Sequence, residues 1–131
     1  DLAVIACTER AMPLTVSGGG PEHQKLRAIA GPTVTFIESP SDAVVTTHMQ
    51  TAKALIFPGL DDFGITPVEA LAAGTPVIAY RAGGALDYIN DTTGLFFDEQ
   101  TVDSLVDALS RFKSENYTSS DIKRFGSKFS K

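Results

Sequence analysis

The stretch that decides the fold is Ala54-Leu55-Ile56-Phe57-Pro58-Gly59-Leu60-Asp61-Asp62-Phe63-Gly64-Ile65-Thr66-Pro67-Val68-Glu69-Ala70-Leu71-Ala72-Ala73-Gly74-Thr75-Pro76-Val77-Ile78-Ala79-Tyr80. Ala54–Phe57 and Val77–Tyr80 are short unbroken apolar runs, the pattern of strands buried on both faces of a parallel sheet. Between them lies a Gly-bearing loop, Gly59–Thr66, and a small-residue helix, Pro67–Ala73, that Gly74 and Pro76 stop. Strand, helix and strand in this order form a parallel βαβ unit.

Outward from this unit the alternation continues in both directions. Ala3, Ile5, Ala6 and Cys7 mark the apolar face of an opening helix. Leu14–Ser17 predicts a strand, Glu22–Ala30 a helix stopped by Gly31-Pro32, Thr33–Ile37 a strand and Ser41–Ala52 a helix. After Tyr80, Gly83–Asn90 predicts a short helix and Gly94–Phe97 the last strand. Thr101–Phe112 carries a stripe of Val102, Leu105, Val106, Leu109 and Phe112. A final helix is expected over Ser119–Ser130, and Asn116–Ser120 reads as a linker. The fold class is α/β, a doubly wound and mostly parallel sheet, in one domain over residues 1–131. Ligands in such sheets bind at the carboxyl ends of the strands. That points to the loops after Ser17, Ile37, Phe57 and Tyr80.

Eleven basic against sixteen acidic residues give a net charge of −5, which argues against an electrostatic nucleic-acid binder. It leaves room for a phosphate-bearing ligand, which a helix N-terminus holds without excess positive charge. No apolar run is long enough for a bilayer span. The single cysteine, Cys7, reads as a small buried hydrophobe and is consistent with a cytoplasmic chain. His23 and His48 fall in no metal pattern, and no metal or cofactor is expected. Gly18-x-Gly20 lacks the third glycine of the dinucleotide fingerprint, which speaks against an oxidoreductase.

Around Thr66 two readings coexist. Thr66 suits an N-cap, Pro67 the first helical position and Glu69 the third, so Thr66-x-x-Glu69 is a capping box in which Glu69 bonds back to the backbone. Alternatively the free N–H groups of this helix start face a crevice, and Glu69 or Asp61 accepts hydrogen bonds from sugar hydroxyls beside a bound diphosphate. Arg81, just past a strand, is either a solvated surface arginine or a phosphate ligand.

The segment Asp61–Glu69, then Ala70–Ala79, then Gly83-Gly84, resembles the donor site of group 1 retaining glycosyltransferases of GT-B fold (family 4 type). Their signature has two acidic residues with seven between, a small-residue helix, Gly-x-Pro-Val-Ile-Ala and a Gly-Gly turn. Gly18-x-Gly20-Pro21-Glu22 with Leu26, and Thr93–Phe97 with the helix after it, extend the resemblance over nearly the whole chain.

The resemblance implies transfer of a hexosyl or mannosyl unit from a nucleotide-diphosphate sugar to an acceptor hydroxyl, with retention and without metal. It gives Asp61 and Glu69 the catalytic positions, Glu69 on the donor ribose and Asp61 on the transferred sugar. Asp61 is one methylene shorter than the family's glutamate. Asp62, Phe63, Gly64, Ile65 and Thr66 belong to the same donor loop, the backbone of Phe63–Ile65 holding sugar and phosphate. Ile37 and Glu38 face the nucleobase, flanked by Gly18 and Gly20. A non-catalytic nucleotide-binding or regulatory domain on the same scaffold is the alternative. The resemblance further implies an acceptor saccharide or lipid-linked sugar bound through an N-terminal domain outside this segment, at the inner membrane face. A family strand expected before Leu2 would be central in a 3-2-1-4-5-6 sheet. Without it, inner edges are exposed, and a dimer through such an edge is expected as one outcome.

Overall fold

The computed structural model describes residues 2–18, 21–38, 42–57, 65–81, 86 and 89–126. The elements run α1 (Leu2–Glu9), β1 (Leu14–Gly18), α2 (Pro21–Ile29), β2 (Val34–Glu38), α3 (Asp42–Thr51), β3 (Leu55–Phe57), α4 (Ile65–Ala72), β4 (Val77–Tyr80), β5 (Gly94–Phe97), α5 (Val102–Arg111), a 3₁₀ turn (Ser114–Asn116) and α6 (Ser119–Gly126). Of the helix expected over 83–90, five positions lie outside the described residues; Leu86 is helical, whereas Ile89 and Asn90 are not, so the helix stops short of the expected end. The end of the helix expected to reach Ser130 lies outside the described residues.

The architecture is the expected Rossmann-like α/β fold, and every strand pairing is parallel. Among the described residues five strands form two blocks, β1-β2 and β3-β4-β5. No pairing among the described residues joins the two blocks, and burial differs along the second one. Val77, Ile78 and Ala79 of β4 are at most 1% exposed, whereas Leu55 and Ile56 of β3, equally apolar, are only half-buried. The difference is that β4 has a partner strand on each side and β3, among the described residues, has only one.

Alternation in β4 divides the core into two layers. Val77 and Ala79 face one way, into a cluster with Ala70 and Leu71 of α4, Ile89 and Ile122 of α6. Ile78 faces the other way, against Ala6 and Cys7 of α1, Phe97, and Leu105, Ala108 and Leu109 of α5. This is why β3 and β4 read as unbroken apolar runs: both faces are covered. Helix α1 is apolar nearly all round, and the structure buries Val4 as well as Ala6 and Cys7.

Gly74 ends α4 at φ 82°, a left-handed conformation that glycine adopts without steric cost. The segment expected as a linker is instead anchored. The 3₁₀ turn occupies its start, and Tyr117 stacks on Phe112 with ring centroids 5.3 Å apart. No helix among the described residues is long and apolar enough to cross a membrane.

Candidate functional site

The parallel register places the carboxyl ends of paired strands together. In the first block Ser17 lies beside Ile37 and Gly18 beside Glu38. Three of the residues expected at the nucleobase, Gly18, Ile37 and Glu38, are thereby neighbours along one strand edge. Ile37 is half-buried. In the second block β3 ends at Phe57 and α4 begins at Ile65, so the expected donor loop connects a strand's carboxyl end to a helix start.

Helix α4 starts two residues earlier than the capping box requires, at Ile65 and not at Pro67. Ile65 and Thr66 are already helical, so Thr66 stands inside the first turn rather than at its cap, and Glu69 lies beyond that turn. Pro67 is accommodated because the first four N–H groups of a helix have no intrahelical acceptor to lose. Glu69 is exposed, whereas Ala70 and Leu71 immediately after it are fully buried in the apolar cluster. Its carboxylate therefore sits on the face of α4 turned away from the core, and its backbone carbonyl accepts from the Ala73 N–H at 3.0 Å. Asp61, Asp62, Phe63, Gly64 and Gly20 lie outside the described residues.

At the ends of β4 and β5 the structure assembles a polar network that the sequence reading missed. Because Tyr80 is registered against Phe97, the next residues, Arg81 and Asp98, fall side by side. Arg81 Nε donates to Asp98 Oδ1 at 2.5 Å, and the guanidinium lies over the Phe96 ring, 4.4 Å from its centroid. The Arg81 N–H also donates to the Phe97 carbonyl at 3.0 Å. Ser104 Oγ accepts from the N–H groups of both Asp98 and Glu99 at 3.1 Å, fixing the loop that carries the carboxylate. Thr101 in turn caps α5. The signal available in the sequence was that two oppositely charged residues each directly follow a strand. Using it required knowing that those strands are adjacent and in register. Arg81 is thus an anchored arginine, not simply a solvated one.

Two shallow hollows open among the described residues, one on α3 beside Ala43, Val44, Thr47 and His48, the other beside Thr92, Asp121, Arg124 and Phe125. Neither includes a residue at a strand's carboxyl end. His48 is exposed, and no three His, Cys, Asp or Glu side chains among the described residues gather as metal ligands.

The family model described as glycosyl transferases group 1 matches residues 5–129. The chain belongs to the group 1 glycosyl transferases. It is 34% identical over 110 residues to a GDP-mannose-dependent alpha-(1-6)-phosphatidylinositol monomannoside mannosyltransferase of Mycobacterium tuberculosis, covering 73% of this chain and 29% of that protein. Among solved structures, it superposes on the apo form of the lipopolysaccharide outer core galactosyltransferase WaaB with a TM-score of 0.77 at 22% identity, covering 90% of this chain and 36% of that one. It superposes on Anabaena HepE in complex with UDP-glucose with a TM-score of 0.73 at 18% identity, covering 97% and 39%. At these identities the structural likenesses establish the fold. This group 1 chain spans less than a third of its mycobacterial relative.

Proposed function

We propose that this chain is the donor-binding part of a retaining, metal-independent glycosyltransferase. It takes a nucleoside diphosphate sugar, mannosyl by analogy with the GDP-mannose-dependent relative, as substrate and not as a resident cofactor. The bond between the anomeric carbon and the diphosphate oxygen breaks, and the acceptor hydroxyl oxygen forms the new bond on the same face of the sugar. The acceptor loses its proton and the nucleoside diphosphate leaves. Glu69 holds the donor ribose, and Asp61 meets the transferred sugar with a reach one methylene shorter than glutamate. The backbone N–H groups at the start of α4 face the leaving diphosphate, where fixed dipoles stabilise developing negative charge. Gly18, Ile37 and Glu38 border the base. The acceptor, a saccharide or lipid-linked sugar, is presented by chain outside this segment, at the inner membrane face when lipid-linked.

The observation that carries this reading is the exposure of Glu69 on a helix whose next two residues, Ala70 and Leu71, are fully buried. A carboxylate there stays solvated until a ligand arrives, and it stands in the second turn of the helix that follows the donor loop. The half-buried β3 edge is, on the same reading, completed by a further strand, from the same protein or from a second copy.

The test is calorimetric titration of the full-length protein with guanosine and uridine diphosphate sugars, beside Glu69→Gln. A hydrogen bond to a charged group contributes about 1.5–3 kcal/mol. Glu69→Gln is therefore expected to weaken donor binding roughly 10- to 100-fold and to abolish most transfer. Donor binding that ignores the substitution overturns the assignment of Glu69. Donor binding without transfer to any acceptor points to a non-catalytic nucleotide-binding domain. Light scattering of the full-length protein reports whether the β3 edge is filled within one chain, as a monomer, or by a second copy.

A further inference from the structure

The Arg81 guanidinium is held on two sides. Asp98 takes Nε, and the Phe96 ring supports the flat face. An arginine presents five N–H donors in a fixed planar fork, so fastening Nε and one face leaves the terminal nitrogens at the outer edge. The side chain remains 52% exposed. An ion pair this open contributes little to stability, so folding energetics alone do not account for the arrangement. What it does accomplish is to order a long, rotamer-rich side chain before any ligand binds.

Its place in the fold matters as much. Among the described residues within two positions of a strand's carboxyl end, Arg81 is the one basic side chain, and Asp98 and Glu99 lie nearby. Adjacent strands lie ~4.8 Å apart, so the end of β4 is one strand spacing from the end of β3, where the donor loop departs.

We propose that Arg81 binds the outer phosphate of the nucleoside diphosphate through its terminal nitrogens, and that Asp98 is a positioning residue that aims it. This rests on the donor-site reading above and deepens it. Paired N–H donors match two phosphate oxygens, a geometry lysine cannot reproduce.

The test compares nucleoside diphosphate with nucleoside monophosphate binding to the full-length protein, using the guanosine and uridine pairs, because only the diphosphate carries the outer phosphate. Arg81→Ala is expected to weaken diphosphate binding about 10-fold and to leave monophosphate binding within about twofold. Arg81→Lys should recover less than half of the loss on a logarithmic scale. Asp98→Asn should weaken the diphosphate by a smaller factor with no change for the monophosphate, and Asp98→Glu should restore part of it. A merely structural role would lower both affinities together, and that result overturns the proposal. Wild-type binding of diphosphate that all four substitutions leave unchanged also overturns it, while the donor-site reading survives. Failure of the wild-type protein to bind any nucleoside diphosphate overturns both.

Discussion

Gly126 of α6 lies directly against Leu71 of α4. A methyl group placed on Gly126 would come within 2.9 Å of Leu71 Cβ and 3.0 Å of its carbonyl carbon. Leu71 is fully buried, and backbone carbonyls do not give way as a flexible side chain would. The last described helix thus clamps the helix that carries Glu69 through a contact only glycine permits. Gly126→Ala is expected to destabilise the protein by about 1–3 kcal/mol, the usual cost of overpacking. The helix propensity gained by alanine, up to ~1 kcal/mol, offsets part of it. A thermal melt checks this, and a melting temperature raised by the substitution would show that the α4–α6 contact is looser than its geometry.

Leu105 supplies the centre of the second core layer. It is fully buried in the cluster that also holds Ile78 and Phe97. Removing three carbons there forfeits transfer energy and leaves a cavity between α5 and the sheet. Leu105→Ala should cost about 2–5 kcal/mol in a denaturant titration. Val102, on the same stripe but only half-buried, should cost distinctly less when cut to alanine. Equal losses at the two positions would mean that α5 does not sit on the sheet as described.

The contrast between those two positions marks what was legible beforehand. The α5 stripe and the two apolar runs of β3 and β4 announce themselves because periodicity reflects burial directly, and their boundaries agree with the structure to within a residue or two. Three features needed the third dimension. Val4 is buried although the pattern places the apolar face of α1 at Ala3, Ile5, Ala6 and Cys7, because a helix apolar nearly all round has no face to read. Tyr117 looked like part of a linker, since one aromatic among polar residues has no period, yet it stacks on Phe112. Arg81 and Asp98 are seventeen residues apart, and only the β4–β5 register unites them. Of the proposed donor site, the strand ends follow from local pattern, whereas local pattern left Glu69 divided between a capping box and a ligand contact. Local reading offers Asp61 only as one candidate sugar ligand; the particular roles given to 61–64 come from family resemblance, because a Gly-bearing acidic loop has no periodicity that would distinguish a site from a turn.

Thr93 and Asn90 make the turn that launches β5. Thr93 Oγ1 accepts from the Asn90 N–H at 2.9 Å, and Asn90 Oδ1 accepts from the N–H groups of Thr92 at 2.9 Å and Thr93 at 3.2 Å. Thr93 is fully buried. Thr93→Val keeps the shape and removes the acceptor, leaving the Asn90 N–H without it. The expected loss is about 1–3 kcal/mol, the cost of an unsatisfied donor. Thr93→Ser, which keeps the hydroxyl and loses a methyl, should cost less than Thr93→Val in chemical denaturation. The reverse order would mean that packing of the methyl, not the hydrogen bond, secures the turn.

Cys7 gives the protein a pH dependence whose sign can be worked out. The side chain is 2% exposed, packed between α1, the sheet and α5, and burial pushes its thiol pKa up by disfavouring the thiolate. In the unfolded chain the thiol ionises near pH ~8.5. Below that value the thiol is neutral in both states and its contribution to stability is fully present. Above it the unfolded chain releases a proton that the folded chain retains, so stability falls as pH rises, until the folded value is passed. The steepest slope one such group can give is ~1.4 kcal/mol per pH unit. Chemical denaturation between pH 7 and pH 10 should show this decline in the wild type. Cys7→Ala should abolish that component of the decline, at a constant cost of about 1 kcal/mol for the lost sulfur. The same burial predicts slow modification by thiol reagents in the native state at pH 8, rising sharply in denaturant. Rapid labelling of the folded protein would show that α1 opens from the sheet far more readily than its packing implies.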